Sequence, residues 1–309
     1  NSEPNNSEPN NSEPNNSEPK TVVQPLISSS EVLEHLDDPS WVIVDCRFVL
    51  SDPAAGREMY EAGHIPNSRY ADLDRDMSSP RTDLTGRHPL PTLDAWIGKL
   101  SEWGIGNESV IVAYDQLGGP LAARFWWLMR WAGHSQVGVL NGGFPAWQRE
   151  GHPVTKAVPD VSATSYSSQV RHELWVSSAD VEEAVGEEAV GGDSPIHVLV
   201  DARAAARYRG EVEPIDPIAG HIPTAINRPF AENLDDSGFF LPANQLQQRF
   251  ADLADDPAHV VHMCGSGVTA CHNLLAMESA GLDGSKLYVG SWSEWVSQAN
   301  RPVATGDET

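Results

Sequence analysis

His262-Met263-Cys264-Gly265-Ser266-Gly267-Val268-Thr269-Ala270-Cys271 is the stretch on which the reading of this chain turns. The apolar run leading into it, Ala258 to Met263, predicts a buried strand of a parallel sheet. Cys264 stands at the carboxyl end of that strand, and Val268 to Ala280 predicts a helix. Strand, glycine-rich turn and helix put the cysteine where backbone N–H groups converge on a helix N-terminus. Such a place favours an anion, and a thiolate is one. A free thiol titrates near about 8.5, and surroundings of this kind bring it to roughly 3.5–7.5. Gly265 and Gly267 admit backbone angles that other residues avoid, so several N–H groups can face one sulfur. The expectation is a nucleophilic Cys264, held mostly as thiolate in a cradle for negative charge. The same local pattern also describes a small buried thiol at a strand end, and the rest of the chain decides between the two.

The 309 residues carry 44 acidic against 20 basic side chains, a formal net charge of −24. An acidic surface disfavours nucleic acid and anionic membranes, and an anionic substrate must then be attracted locally, by a few arginines or a helix end. No apolar run approaches the ~20 residues of a membrane span, and no basic start leads into an apolar segment. Three cysteines, an odd count, do not suggest a disulfide framework. A reducing, cytoplasmic setting is expected. Residues 1–20 repeat Asn-Ser-Glu-Pro-Asn without apolar side chains, so they are expected to be disordered, as a natural tail or an artefact.

Beyond the tail, strand-like and helix-like stretches alternate. Trp41–Val44, Ser109–Tyr114 and Gly138–Leu140 read as strands, with helices over Leu93–Trp103 and Ala122–Ala132. The second half repeats this with strands over Ile196–Val200, Ala258–Met263 and Lys286–Val289. The pattern predicts parallel sheets covered on both faces. An internal repeat is explicit. Val44-Asp45-Cys46-Arg47 matches Val200-Asp201-Ala202-Arg203, and Gly63-His64-Ile65-Pro66 matches Gly220-His221-Ile222-Pro223, at offsets of 156 and 157 residues. Two similar α/β domains follow, at residues 21–158 and 170–309, joined by a Ser-, Pro- and Ala-rich linker at 159–169. Where the second half has Cys264 after its strand, the first has Asp115. The first half is therefore expected to be a non-catalytic copy that shapes the cleft.

Together these segments, with Gly290-Ser291-Trp292-Ser293-Glu294-Trp295 and the Cys264 loop, resemble the rhodanese superfamily in its tandem two-domain form. The resemblance implies two rhodanese-like α/β domains, each a mainly parallel sheet with helices on both faces. It also implies a sulfurtransferase whose Cys264 holds sulfur as a persulfide between a donor and a nucleophilic acceptor. The loop Cys-Gly-Ser-Gly-Val-Thr resembles that of 3-mercaptopyruvate sulfurtransferases, whereas thiosulfate-using members carry basic side chains there. Tyr70-Ala71-Asp72-Leu73-Asp74 and Gly86-Arg87-His88-Pro89-Leu90-Pro91 are similar to the family stretches that supply a serine-centred triad, here Ser266, His88 and Asp74. Arg207 matches the first substrate arginine of the family. A second, expected near Ile215 and Asp216, is missing; Arg209 could substitute but reads first as a solvated surface charge, and Asp216 resembles the thiosulfate-type enzymes.

The resemblance thus implies catalysis by Cys264, Ser266, His88 and Asp74, and substrate binding by Arg207, Gly265, Gly267, Val268 and Thr269. The lead donor is 3-mercaptopyruvate and the alternative thiosulfate. The acceptor is a thiol or cyanide, including a thioredoxin-like protein. No metal or other cofactor is expected, and the chain is expected to be a monomer. Cys46 and Cys271 read as core thiols, His64 and His221 as matching structural residues, and Arg47 and Arg203 as ties between loop and sheet. Trp126, Trp127 and Trp131 read as core and domain interface. A phosphatase with a related fold is a weaker rival, because the six-residue loop lacks the arginine that phosphate transfer wants. A stoichiometric persulfide carrier is the non-enzymatic rival.

Overall fold

The computed structural model describes residues 23–188 and 196–307; the repeat tail of residues 1–20 lies outside them. Two five-stranded sheets share one plan. The first contains β1 (Leu26–Ile27), β2 (Trp41–Asp45), β3 (Arg69–Tyr70), β4 (Val110–Tyr114) and β5 (Val137–Leu140), in the order β1-β5-β4-β2-β3. The second contains β6 (Trp175–Val176), β7 (Val198–Asp201), β8 (Ile226–Asn227), β9 (Val260–Met263) and β10 (Lys286–Tyr288), in the order β6-β10-β9-β7-β8. Every pairing in both sheets is parallel. The order is the same strand for strand, so the sequence repeat is a repeat of topology.

The helices of the first half are α1 (Ser29–Glu34), α2 (Ala55–Ala62), α3 (Leu93–Glu102), α4 (Pro120–Trp131) and α5 (Gly143–Arg149). Those of the second are α6 (Ser178–Glu188), α7 (Ala205–Tyr208), α8 (Ala243–Phe250), α9 (Ala270–Ser279) and α10 (Ser291–Trp295). Successive strand residues point to opposite sides, and here both sides are apolar. Val42 and Val44 enter one core and Ile43 another; Ile111 and Ala113 enter one, Val112 and Tyr114 the other. That is why these strands read as continuous hydrophobic runs rather than alternating ones. The inner core runs through both halves, from Trp96, Phe125 and Trp127 to Leu274, Leu275 and Leu287. Trp126, Trp127 and Trp131 are buried, and α4 packs on α9 across the boundary between the halves.

Several boundaries differ from the sequence reading, three of them for a clear local reason. Helix α4 starts at Pro120 rather than Ala122, because proline suits the first helical turn and Gly119 ahead of it takes the left-handed conformation, φ +117°. Helix α9 starts at Ala270 rather than Val268, because Val268 and Thr269 belong to a tighter turn in which Cys271 N–H donates to Val268 O and His272 N–H to Thr269 O. Strand β9 is preceded by a 3-10 turn at Pro257–His259, capped by Asp256, that takes Ala258 out of the strand. Residues 159–169 form neither helix nor strand; Thr164 N–H donates to Ser101 O and Gln169 N–H to Ala132 O, which lays the segment along the first half.

Candidate active site

Cys264 follows β9 directly, at the carboxyl ends of the second sheet's strands, and is buried. Its loop is held from outside. Trp292 N–H donates to Cys264 O and Ser293 N–H to Gly265 O, so two loop carbonyls face α10. Cys264 N–H donates to Ser291 Oγ (3.1 Å), and Ser291 takes a left-handed φ of 53° to offer it. Gly267 has φ +74°, and a Cβ there would lie 2.3 Å from Val289 O, so glycine is required. Among the described residues no protein acceptor takes the N–H groups of Gly265, Ser266, Gly267, Val268 or Thr269. The loop therefore ends as a ring of free donors beside the sulfur, a setting that accepts negative charge.

A cavity opens over the loop, lined by Cys264, Gly265, Ser266, Val268 and Thr269 on one side and by Phe48, Leu73, Leu117 and Leu121 of the first half on the other. Gly267, expected among the binding residues, does not line it; its Cα faces Val289 instead. Arg207, Arg87 and His88 complete the wall.

Ser266, His88 and Asp74, separated by up to 192 residues in sequence, meet here. Ser266 Oγ lies 2.7 Å from His88 Nδ1, and His88 Nε2 lies 3.2 Å from Asp74 Oδ1. Burial pushes His88 below the usual imidazole value, only partly opposed by Asp74, so the ring is neutral at neutral pH. In a neutral ring the proton facing the carboxylate sits on Nε2. Nδ1 is then the acceptor, and Ser266 O–H donates to it.

The arginines depart from the sequence reading. Arg207 is at the cavity, with Nη2 2.7 Å from Glu213 Oε1 and 3.2 Å from Asp216 Oδ2. Arg209 pairs with Glu211 on the surface, as its preferred reading had it, and does not substitute. The second guanidinium comes from the other half of the molecule. Arg87 reaches over Gly265 to pair with Asp216, and a Cβ on Gly265 would lie 2.6 Å from Arg87 Nη2 and 3.6 Å from Arg207 Nη1. Two guanidinium groups thus converge above Gly265, bridged by Asp216, whose carboxyl burial raises against the pull of Arg87. Sequence reasoning passed over Arg87 because nothing local marks a loop arginine 129 residues from its carboxylate partner; its one signal was adjacency to His88.

The first half shows what its equivalent loop does instead. Asp115 accepts from the N–H groups of Leu117, Gly119, Leu121 and Ala122, at 2.7–3.0 Å. A built-in carboxylate thus fills that anion cradle, and no thiol stands there. Arg47 and Arg203 each chelate the aspartate two residues before them and reach Gly63 O or Gly220 O. His64 stacks on Tyr60 and His221 on Tyr208, one pair per half. Burial raises both the Cys46 and Cys271 thiols, Cys271 to about 12, so neither is an anion at neutral pH. All three cysteines are free. Among the described residues no cluster of His, Cys, Asp or Glu fits a metal ion, and no helix is long and apolar enough to cross a membrane.

A family model described as Rhodanese-like domain matches residues 28–150 and 182–298. A Pseudomonas aeruginosa protein named "Probable 3-mercaptopyruvate sulfurtransferase" is 44% identical over 286 residues, spanning 91% of this chain and 98% of that one. The thiosulfate sulfurtransferase of Gallus gallus is 32% identical over 262 residues, spanning 83% and 86%. Among solved structures, 3-mercaptopyruvate sulfurtransferase from Leishmania major superposes with a TM-score of 0.76 at 29% identity, over 90% of this chain and 75% of that one. A 3-mercaptopyruvate sulfotransferase from Escherichia coli gives 0.74 at 29% identity, over 88% and 100%.

Proposed function

The chain belongs to the rhodanese-like family, carries the domain twice and is a sulfurtransferase; on that premise we propose that Cys264 takes sulfur from 3-mercaptopyruvate and hands it to a thiol or cyanide. The Cys264 thiolate attacks the donor's sulfur. The S–S bond forms as the donor's C–S bond breaks, and the leaving fragment is the enolate of pyruvate. Its methylene carbon needs a proton, and the donor's sulfhydryl supplies one. Ser266 and His88 relay that proton, and Asp74 holds His88 in the tautomer that accepts from Ser266. The products are pyruvate and a Cys264 persulfide anion. An acceptor thiolate or cyanide then attacks the outer sulfur and returns the thiolate.

One observation carries the choice of donor: the Ser266–His88–Asp74 chain reaches the same cavity as Cys264. A carbon leaving group needs a proton, whereas the sulfite left by thiosulfate is a stable anion that needs none. Arg87 and Arg207 suit the donor's carboxylate, since arginine forks hold carboxylates firmly. Glu213 and Asp216 cancel their formal charge, so the cleft suits one negative charge better than two. Leu73, Leu117 and Leu121 cover the donor's carbon skeleton. The alternative is the same persulfide cycle run on thiosulfate; the resemblance of the Asp216 stretch to thiosulfate-type enzymes and the thiosulfate sulfurtransferases among the relatives are in its favour.

We propose residues 21–158 as the non-catalytic half and 170–309 as the catalytic one, with 159–169 between them. The protein acts as a monomer, a thioredoxin-like protein is a suitable acceptor, and a reducing, cytoplasmic compartment suits three unpaired cysteines. Steady-state kinetics with both donors test the reading. Ser266→Ala is expected to lower kcat with mercaptopyruvate by about 100-fold or more and to change thiosulfate turnover little. Arg87→Ala and Arg207→Ala should each raise KM for mercaptopyruvate. A wild-type kcat/KM much higher for thiosulfate, or a Ser266→Ala variant equally impaired with both donors, reverses the assignment.

A further inference from the structure

We propose that Arg124 of α4 and Ser293 of α10 are positioning residues for the proton relay, and that together they hold His88 at hydrogen-bond distance from Ser266. This rests on the reading of Ser266, His88 and Asp74 as that relay. It gives a task to a buried arginine and to the Gly290–Trp295 motif, neither of which the sulfur-transfer steps use.

His88 has no regular element to hold it. Residues 71–92, from the end of β3 to the start of α3, form no helix or strand. Its partner Ser266 lies 178 residues on, in the other half, and the two meet at 2.7 Å. Two bridges flank that contact. In one, Arg124 Nη1 donates to Gly267 O (3.1 Å) and Arg124 Nη2 to His88 O (3.2 Å). In the other, Arg87 N–H donates to Ser293 Oγ (3.0 Å) while Ser293 N–H donates to Gly265 O (2.9 Å). Residues 87 and 88 are thus tied to the residue just before Ser266 and to the residue just after it. The joint is close: a Cβ on Gly86 would lie 2.5 Å from Gly290 O and 3.1 Å from Ser293 Oγ. Each half sends one bridge to the other. Arg124 of the first half takes a carbonyl of the second, and Ser293 of the second takes an N–H of the first.

Arg124 serves geometry rather than stability. It is fully buried, and among the described residues no carboxylate pairs with it. A buried guanidinium without a carboxylate is costly. Its planar fork, however, fixes two acceptors relative to each other, which a flexible ammonium does not. Cys271 Sγ also donates to Gly267 O (3.4 Å), but from α9, so it ties the loop to its own half.

Steady-state rates of the full-length protein with mercaptopyruvate and with thiosulfate test this, because the enolate leaving group needs the relay and sulfite does not. The readout is the ratio of kcat with mercaptopyruvate to kcat with thiosulfate. Arg124→Lys, which keeps the charge and loses the fork, is expected to lower that ratio by about tenfold or more. Ser293→Ala is expected to lower it as well. In a Ser266→Ala background neither substitution should lower it further, because the relay is already gone. Cys271→Ala should leave the ratio as it is. An unchanged ratio in either folded variant overturns the proposal, as does a fall that persists undiminished in the Ser266→Ala background. A fall in Cys271→Ala equal to that in Arg124→Lys also overturns it, since the tie across the halves would then be irrelevant. If Arg124→Lys does not fold, Ser293→Ala decides by the same criteria. Failure of the underlying relay reading looks different: Ser266→Ala itself would leave the ratio unchanged.

Discussion

Ser266 donates to His88, and that direction depends on His88 being uncharged. Burial holds the imidazole below its ordinary value while Asp74 pulls it upward. Mercaptopyruvate turnover should therefore rise with pH through the His88 titration, on the acid side of the ordinary value of about 6.5, and be level at neutrality. Asp74→Asn removes the upward pull. His88 then falls further, so the acid limb of kcat moves to lower pH. The plateau drops as well, because nothing fixes the tautomer. A pH–rate profile of the variant whose acid limb stays in place or moves up rejects this role for Asp74. At this scale the sequence was readable for the place of Cys264, between a strand and a glycine turn. It was not readable for Arg87, a surface-type residue in a loop, whose meaning comes from Asp216 alone.

The two strand–loop–helix elements after β4 and β9 differ in what sits at the mouth of the loop. In one a carboxylate takes four backbone N–H groups; in the other the donors stay free beside a thiol. Asp115→Ala should therefore leave buried donors unpaired and lower stability by on the order of 3 kcal/mol. Urea denaturation measures it, and a loss under about 1 kcal/mol means that water replaces the carboxylate without penalty. The long central strands were legible as apolar runs, and α3 as an amphipathic stretch, which the structure shows capped by Thr92. The two-residue edge strands β1, β3, β6 and β8 were not. Two residues carry no period, and such strands exist only because a neighbour in the sheet offers them a ladder.

Across the whole molecule, the joint between the halves is sealed by groups that resist protonation. His272 on α9 lies 3.2 Å from Gly118 O of the first half and 3.1 Å from Asn233 Nδ2, and it stacks on Phe240. His262 in β9 is buried within the second half, with Nε2 3.0 Å from Met277 Sδ and Nδ1 unpartnered. Burial pushes both down to about 3. The unfolded chain therefore binds more protons than the folded one from the ordinary histidine value down to that point. Stability rises with pH over this window and is lost as pH falls through it, at up to about 1.4 kcal/mol per pH unit for each histidine. His262→Leu should remove one such contribution and flatten the dependence. Unfolding free energies at several acid pH values test this; an equal slope in variant and wild type rejects it.

By itself the sequence determined the duplication, the parallel α/β plan and the family, and it pointed to Cys264 as the candidate nucleophile. Each of these is written in short-range features: apolar runs, glycine turns, and two motifs repeated at one offset. Only the tertiary structure decided which residues of the first half reach the second half's sulfur. It turned Arg87 into a partner of Arg207, left Arg209 on the surface, and brought Arg124 under Gly267. The physical reason is range. Backbone pattern is set by neighbours a few residues apart, whereas a buried charge is defined by whatever the fold packs against it, here from more than a hundred residues away.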